Sequence, residues 1–97
     1  MRSILQKNTD ICYICHKRPD YWGLDKHHIF GGAYRDKSEK YGLTVFICHN
    51  ECHLNGVHKN AKLSRALKQH GQKKAMEHYG WNIEQFKKLF GKNYMED

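Results

Sequence analysis

Long hydrophobic runs, acidic residues and prolines are all scarce in this chain of 97 residues. The longest uncharged apolar run, Leu43 to Cys48, falls far short of the roughly 20 residues that a bilayer-spanning helix demands. A helical membrane span is excluded. The opening stretch MRSILQKNTD has no apolar segment of the kind a secretion signal carries, so a cytoplasmic protein is expected. Ten Asp and Glu face seventeen Lys and Arg, for a formal net charge of +7. The mean hydropathy of −0.89 points to a modest core. Only one proline is present, and with 12% aromatic residues the chain is too rich in Tyr, Phe and Trp to be disordered. Its length allows a single domain over residues 1–97 and no second core.

Against these shortages stand four cysteines and eight histidines. A small domain with little apolar area to bury usually needs a covalent or metal staple. Without a secretion signal, disulfides are disfavoured, and reduced thiolates among many imidazoles point to metal binding.

Up to His58 the chain holds 8 basic and 6 acidic residues, and after it 9 and 4, for net charges of +2 and +5. Such a surplus suits a polyanionic partner, nucleic acid being the commonest, or is simply a solvated lysine-rich surface. The first half is punctuated by turns. Asp25–Phe30, ending at Gly31-Gly32, and Leu43–Ile47, following Tyr41-Gly42, read as two short strands. The second half, from about Val57, reads as helical. Ala61, Leu63, Ala66 and Leu67 share a face up to a stop at Gly71, and a shorter helix spans Gln72 to Tyr79 and halts at Gly80. A third begins with Asn82 as cap and Gln85 three residues later, carries Ile83, Phe86, Leu89 and Phe90 as its apolar stripe, and ends at Gly91.

Cys12 and Cys15, then Cys48 and Cys52, form two close pairs of thiols. Two such knuckles converging on one tetrahedral Zn²⁺ are a structural zinc pattern. The second pair has one residue more than the first between its cysteines, and His49 or His53 could stand in for Cys52. A redox dithiol at Cys12 and Cys15 would need a βαβ context that the chain lacks. Once the thiols are used, His27, His28, His53 and His58 remain crowded into one region, whereas His16, His70 and His78 are isolated and read as ordinary surface or core side chains.

The order Cys-x-x-Cys, Asp25-x-His27-His28-Ile29, a strand ending in Cys48, then Cys52-His53 and His58 resembles the HNH endonucleases of the ββα-metal class. The stretches His28–Ala33, Ser38–Leu43 and Phe90–Tyr94 are similar to the small phage and prophage type. Over about residues 10 to 95, the resemblance implies an α+β fold: a ββα-metal core stapled by a four-cysteine zinc site, with additional C-terminal helices. It implies His28 as general base, His27, His53 and His58 as ligands of a catalytic divalent metal (Mg²⁺, Mn²⁺, Ni²⁺ or Zn²⁺), and Cys12, Cys15, Cys48 and Cys52 as ligands of structural zinc. The sequence departs from the family twice. Leu43 occupies the place of its central Asn, which leaves a backbone carbonyl or another polar group to orient His28. His53 and His58 are five residues apart rather than four, which turns them about 140° from each other on a regular helix, so a break at Asn55-Gly56 is expected.

The implied activity is hydrolysis of DNA phosphodiester bonds to a 5′ phosphate and a 3′ hydroxyl, in phage or prophage DNA processing inside a bacterial host cell. Arg35, Lys37 and Lys40 between the strands, with Lys59 and Arg65 beyond them, are candidate contacts to a DNA backbone, and Arg18 and Lys26 could flank the site. No base-reading module is visible, so double-stranded DNA with little sequence preference is the expected partner. A homodimer and phage packaging or recombination proteins remain open as further partners. The competing reading is a noncatalytic zinc-stabilised module that binds DNA or protein. It needs the cysteines and the basic helices but has no use for convergent histidines.

Overall fold

A computed structural model describes residues 2–19 and 21–95. Met1, Asp20, Glu96 and Asp97, all within the expected single domain, lie outside the described residues. The architecture is α+β: a two-stranded antiparallel sheet with helices. Strand β1 (Leu24–His28) pairs with β2 (Thr44–Cys48) in the register Leu24 to Cys48 through His28 to Thr44. Both strands lie within a residue or two of the expected segments. The connection is not a plain loop: a 3-10 turn (Gly32–Tyr34) leads into helix α1 (Arg35–Lys40). The fully buried Ser38 holds α1 to the end of β1. Its Oγ accepts from Phe30 N at 3.0 Å and donates to Phe30 O at 2.7 Å.

The outer edge of β2 is not left open. Tyr13 N donates to Phe46 O at 2.9 Å, and the buried Gln6 side chain accepts from Phe46 N at 2.6 Å, so the N-terminal segment covers backbone that would otherwise template aggregation.

After β2 the chain enters a π-helical segment (His49–Val57), then α2 (Ala61–Tyr79) and α3 (Ile83–Phe90). Asn60 caps α2 by accepting from Leu63 N, and Gly80 ends it in the left-handed conformation at φ 70°. The expected break at Gly71 does not occur, and Gln72–Tyr79 is not a separate helix: α2 runs straight through. Gly71 serves packing instead. A Cβ there would lie 2.8 Å from Ile29 Cγ2, so the missing side chain lets α2 lie directly on the residues that follow β1. At α3 the capping box of Asn82 and Gln85 and the Gly91 stop form as expected. Phe86 and Phe90 are fully buried and meet Phe30 at ring-centroid distances of 5.4 and 4.8 Å, whereas Ile83, expected in the same stripe, is exposed. Each buried Phe contributes up to about 3 kcal/mol of burial energy, which an eight-residue helix needs because its own hydrogen bonds are marginal in water.

Candidate metal centre and histidine cluster

The first site joins two distant pieces of chain. Cys12 and Cys15 sit on a tight turn in which Cys15 N approaches Cys12 Sγ at 3.4 Å, and Cys48 ends β2 while Cys52 follows in the π-helical segment. All four sulfurs lie within 4.8 Å of one another, Cys15 and Cys48 at 3.4 Å, and none is in a disulfide. Tetrahedral Zn²⁺ with bonds of about 2.3 Å requires sulfurs roughly 3.8 Å apart, so the donors fit a structural zinc ion. The extra residue in the second pair is absorbed by the helical turn. Cys52 completes the set, and neither His49 nor His53 replaces it.

Electrostatics agree with a cation here. Burial opposes ionisation of Cys12, but the backbone N–H groups of Cys15, Cys48 and Ile14 outweigh it and bring the thiol down to about 6. Burial pushes Cys48 up to about 11 and Cys52 higher still. The Cys12 thiolate forms readily, whereas Cys48 and Cys52 need a positive ion beside them.

The second cluster depends on strand alternation and on the π-helical turn. Asp25 and His27 lie on one face of β1, while Lys26 and His28 lie on the other. On the first face, Asp25 Oδ2 accepts from His49 Nδ1 at 2.6 Å and from His53 Nδ1 at 2.8 Å. Burial works against the Asp25 charge, yet these two bonds hold its carboxyl below the ordinary carboxylate range. With Nδ1 committed to Asp25, His53 presents Nε2, which lies 3.0 Å from His58 Nε2.

That approach corrects the expectation of a break at Asn55-Gly56. His58 N donates to His53 O at 3.2 Å, five residues back, which is π-helical spacing, and the segment continues through both residues. Two residues five apart, splayed on an α-helix, are neighbours on this wider turn. His27 faces the pair from β1, its ring centroid 5.4 Å from that of His53 and 6.2 Å from that of His58. Burial first, then the neighbouring imidazoles, lower His27 to about 4, so its ring is neutral at physiological pH and its lone pair is free for a metal. The 3.0 Å between His53 Nε2 and His58 Nε2 is a hydrogen-bond distance, inside the roughly 3.4 Å that ligand bonds of about 2.1 Å at the tetrahedral angle give. His27 stands farther off: among the described residues, only the cysteines bring three or more ligand atoms within 4.8 Å of one another.

His28, on the opposite face, is mostly buried, and its Nε2 lies 2.9 Å from Glu39 Oε2 on α1. Glu39 also takes the Lys26 ammonium. A carboxylate thus orients the His28 ring, where the resemblance left that place to a backbone carbonyl or another polar group. Leu43 is fully buried, with its carbonyl accepting from Ile29 N at 3.0 Å, and Asn50 and Asn55 bond to each other. Sequence reasoning assigned no role to Asp25 or Glu39 and weighed His49 only as a substitute for Cys52, whereas Glu39 bonds His28 and Asp25 bonds both His49 and His53 here. Alternation along Asp25-Lys26-His27-His28 was the available signal for Asp25. Nothing local marked Glu39, because α1 was not foreseen.

The candidate DNA contacts fall on two elements. Arg35, Lys37 and Lys40 are on α1, where Lys37 Nζ donates to Leu89 O at 2.8 Å and Lys40 lies over the Tyr41 ring. Lys59 lies in the turn before α2, bonded to Asn55, and Arg65 is in the second turn of α2. His70, set aside as ordinary, bonds Tyr13 at 2.6 Å. No helix among the described residues is long and apolar enough to cross a membrane.

Were the imidazoles of His53 and His58 to hold a divalent ion, Asp25→Asn would weaken its binding by about 10- to 100-fold, the usual effect of losing a carboxylate that orients a ligand. Competition against a chromophoric chelator on zinc-loaded protein measures it, and unchanged affinity removes Asp25 from the site. Comparison with known protein families, with curated proteins and with solved structures finds no match.

Proposed function

We propose that the chain is a metal-dependent endonuclease of the ββα-metal kind, hydrolysing DNA phosphodiester bonds in phage or prophage DNA processing. The observation that carries this reading is the pairing of His53 with His58 opposite His27, apart from the four cysteines. A zinc staple has no use for these imidazoles, since the thiols complete its tetrahedron. His27, His53 and His58 would hold a divalent ion, which when bound neutralises charge on the phosphate and on the departing 3′ oxygen.

His28 carries the proton chemistry. When its Nε2–H donates to Glu39 Oε2 at 2.9 Å, the lone pair resides on Nδ1. That atom takes a proton from water as the water oxygen bonds to phosphorus and the bond to the 3′ oxygen breaks. The 3′ oxygen draws its proton from solvent, and the products are a 5′ phosphate and a 3′ hydroxyl. Glu39 stabilises the imidazolium so formed, as a carboxylate behind a catalytic imidazole does.

A noncatalytic zinc-stabilised module that binds DNA or protein is the second reading, favoured by the stand-off of His27 from the other two rings. One assay separates the two. Zinc-loaded protein, freed of other metals and resupplied singly with Mg²⁺, Mn²⁺, Ni²⁺ or Zn²⁺, is expected to nick supercoiled plasmid with at least one ion, and His58→Ala is expected to lose that nicking. DNA that is bound and left uncut under every ion removes the nuclease and leaves the binding module.

A further inference from the structure

We infer that the groove between the start of α2 and the segment 92–95 binds a phosphate of the nucleic-acid backbone, next along from the histidine cluster. Ala61, Ser64, Arg65 and Lys68 recur at three- and four-residue intervals and so share one face of α2. Lys92, Asn93 and Tyr94 close the other side of a cavity of about 430 Å³. No carboxylate lines it among the described residues. The groove begins at Ala61, three residues after His58, and Lys68 is near enough to His27 for its charge to act there, so one polyanion can reach both places.

Lys68 Nζ stands over the Tyr94 ring at 5.7 Å from its centroid and Lys92 Nζ at 5.4 Å. Each ammonium is held near the groove by the ring's negative face, and an anion in the groove would gain from both charges.

The ring itself is fixed from behind. Tyr94 packs on Phe30 at 5.2 Å, and Gln69 Nε2 donates to Tyr94 O at 2.9 Å. The fully buried Gln72 donates to Asn93 Oδ1 at 2.7 Å and accepts from Tyr94 N at 2.7 Å. A buried amide satisfied by an irregular segment makes that segment rigid. Gln72 and Met95 N occupy Asn93 Oδ1, which leaves the Nδ2 donors for a ligand. This is a pre-organised anion site in which the positive charge is assembled before the ligand arrives.

Nucleic acid as the source of the phosphate rests on the nuclease reading; the preference for an anion does not. The test is fluorescence anisotropy of a labelled DNA duplex with zinc-loaded protein and no other divalent ion, comparing wild type with Lys68→Gln/Lys92→Gln of matched melting temperature. The double variant is expected to bind at least about tenfold more weakly, with a log–log salt slope shallower by about 0.9, the change for one phosphate no longer neutralised. Wild-type affinity and slope in the variant overturn the groove while leaving plasmid nicking, and the nuclease reading, intact. Groove-dependent binding without cleavage under any ion keeps the groove and removes the nuclease. In a second arm, inorganic phosphate alone is titrated while the amide resonances of Asn93 and Tyr94 are followed. Saturation as tight as that by duplex would make this a small-anion site and overturn the backbone assignment.

Discussion

Removing zinc, or replacing Cys52 by Ser, is expected to abolish the cooperative thermal transition of this domain rather than lower it by a few degrees. The four thiols tie the N-terminal turn, the end of β2 and the π-helical segment together, and no disulfide does that work. Structural zinc contributes about 10–16 kcal/mol of apparent binding energy in small zinc peptides, as much as the whole stability of about 5–15 kcal/mol of an ordinary domain. A chain of 97 residues has little core to set against such a loss. The histidine cluster falls with it, because Cys52 and His53 are adjacent on the same turn. Far-UV circular dichroism during heating, with and without a strong chelator, measures the effect. A chelated protein or a Cys52→Ser variant that still melts cooperatively near the wild-type temperature would show that the core suffices alone.

His28→Ala is expected to slow plasmid cleavage about 10²- to 10⁴-fold, the usual range for a positioned general base, with zinc content and melting temperature retained. His28 ends β1 and its imidazole engages Glu39 rather than the histidine cluster, so truncation removes the base without touching the candidate metal ligands. Glu39→Gln keeps an acceptor for Nε2 but loses the charge, and a smaller loss follows. Single-turnover nicking rates separate the two from effects on DNA binding. A His28→Ala variant that cuts at the wild-type rate would pass the role of base to another group, whereas equal loss in both variants would mean that the carboxylate charge carries the effect.

These predictions differ in how far ahead of the structure they were legible. The cysteine site was read from spacing, because a knuckle is local chemistry: two thiols on one tight turn serve the same ion whatever else the fold does. The caps at Asn82 and Gly91 were equally local, since a side chain or a left-handed glycine satisfies backbone groups a few residues away. The helix stop assigned to Gly71 failed for the opposite reason. Glycine ends helices where the backbone turns left-handed, but it also sits inside them where another chain segment must come close, and only the position of Ile29 distinguishes the two.

The histidines show the same division. Composition and order along the chain determined that the protein is a small α+β domain with a thiol metal site, a basic surface and a surplus of imidazoles near it. Whether His53 and His58 meet was decided by the tertiary structure: a 3.6-residue helix separates them, and a π-helical turn held between β2 and α2 unites them. Tertiary structure likewise decided that Asp25 fixes the tautomer of His53, that Glu39 stands behind His28, and that Lys68 and Lys92 each lie against the Tyr94 ring. Hydrogen bonds between residues 11 to 40 positions apart act over a few ångströms. Their partners are chosen by how the elements pack, which no local pattern of residues records.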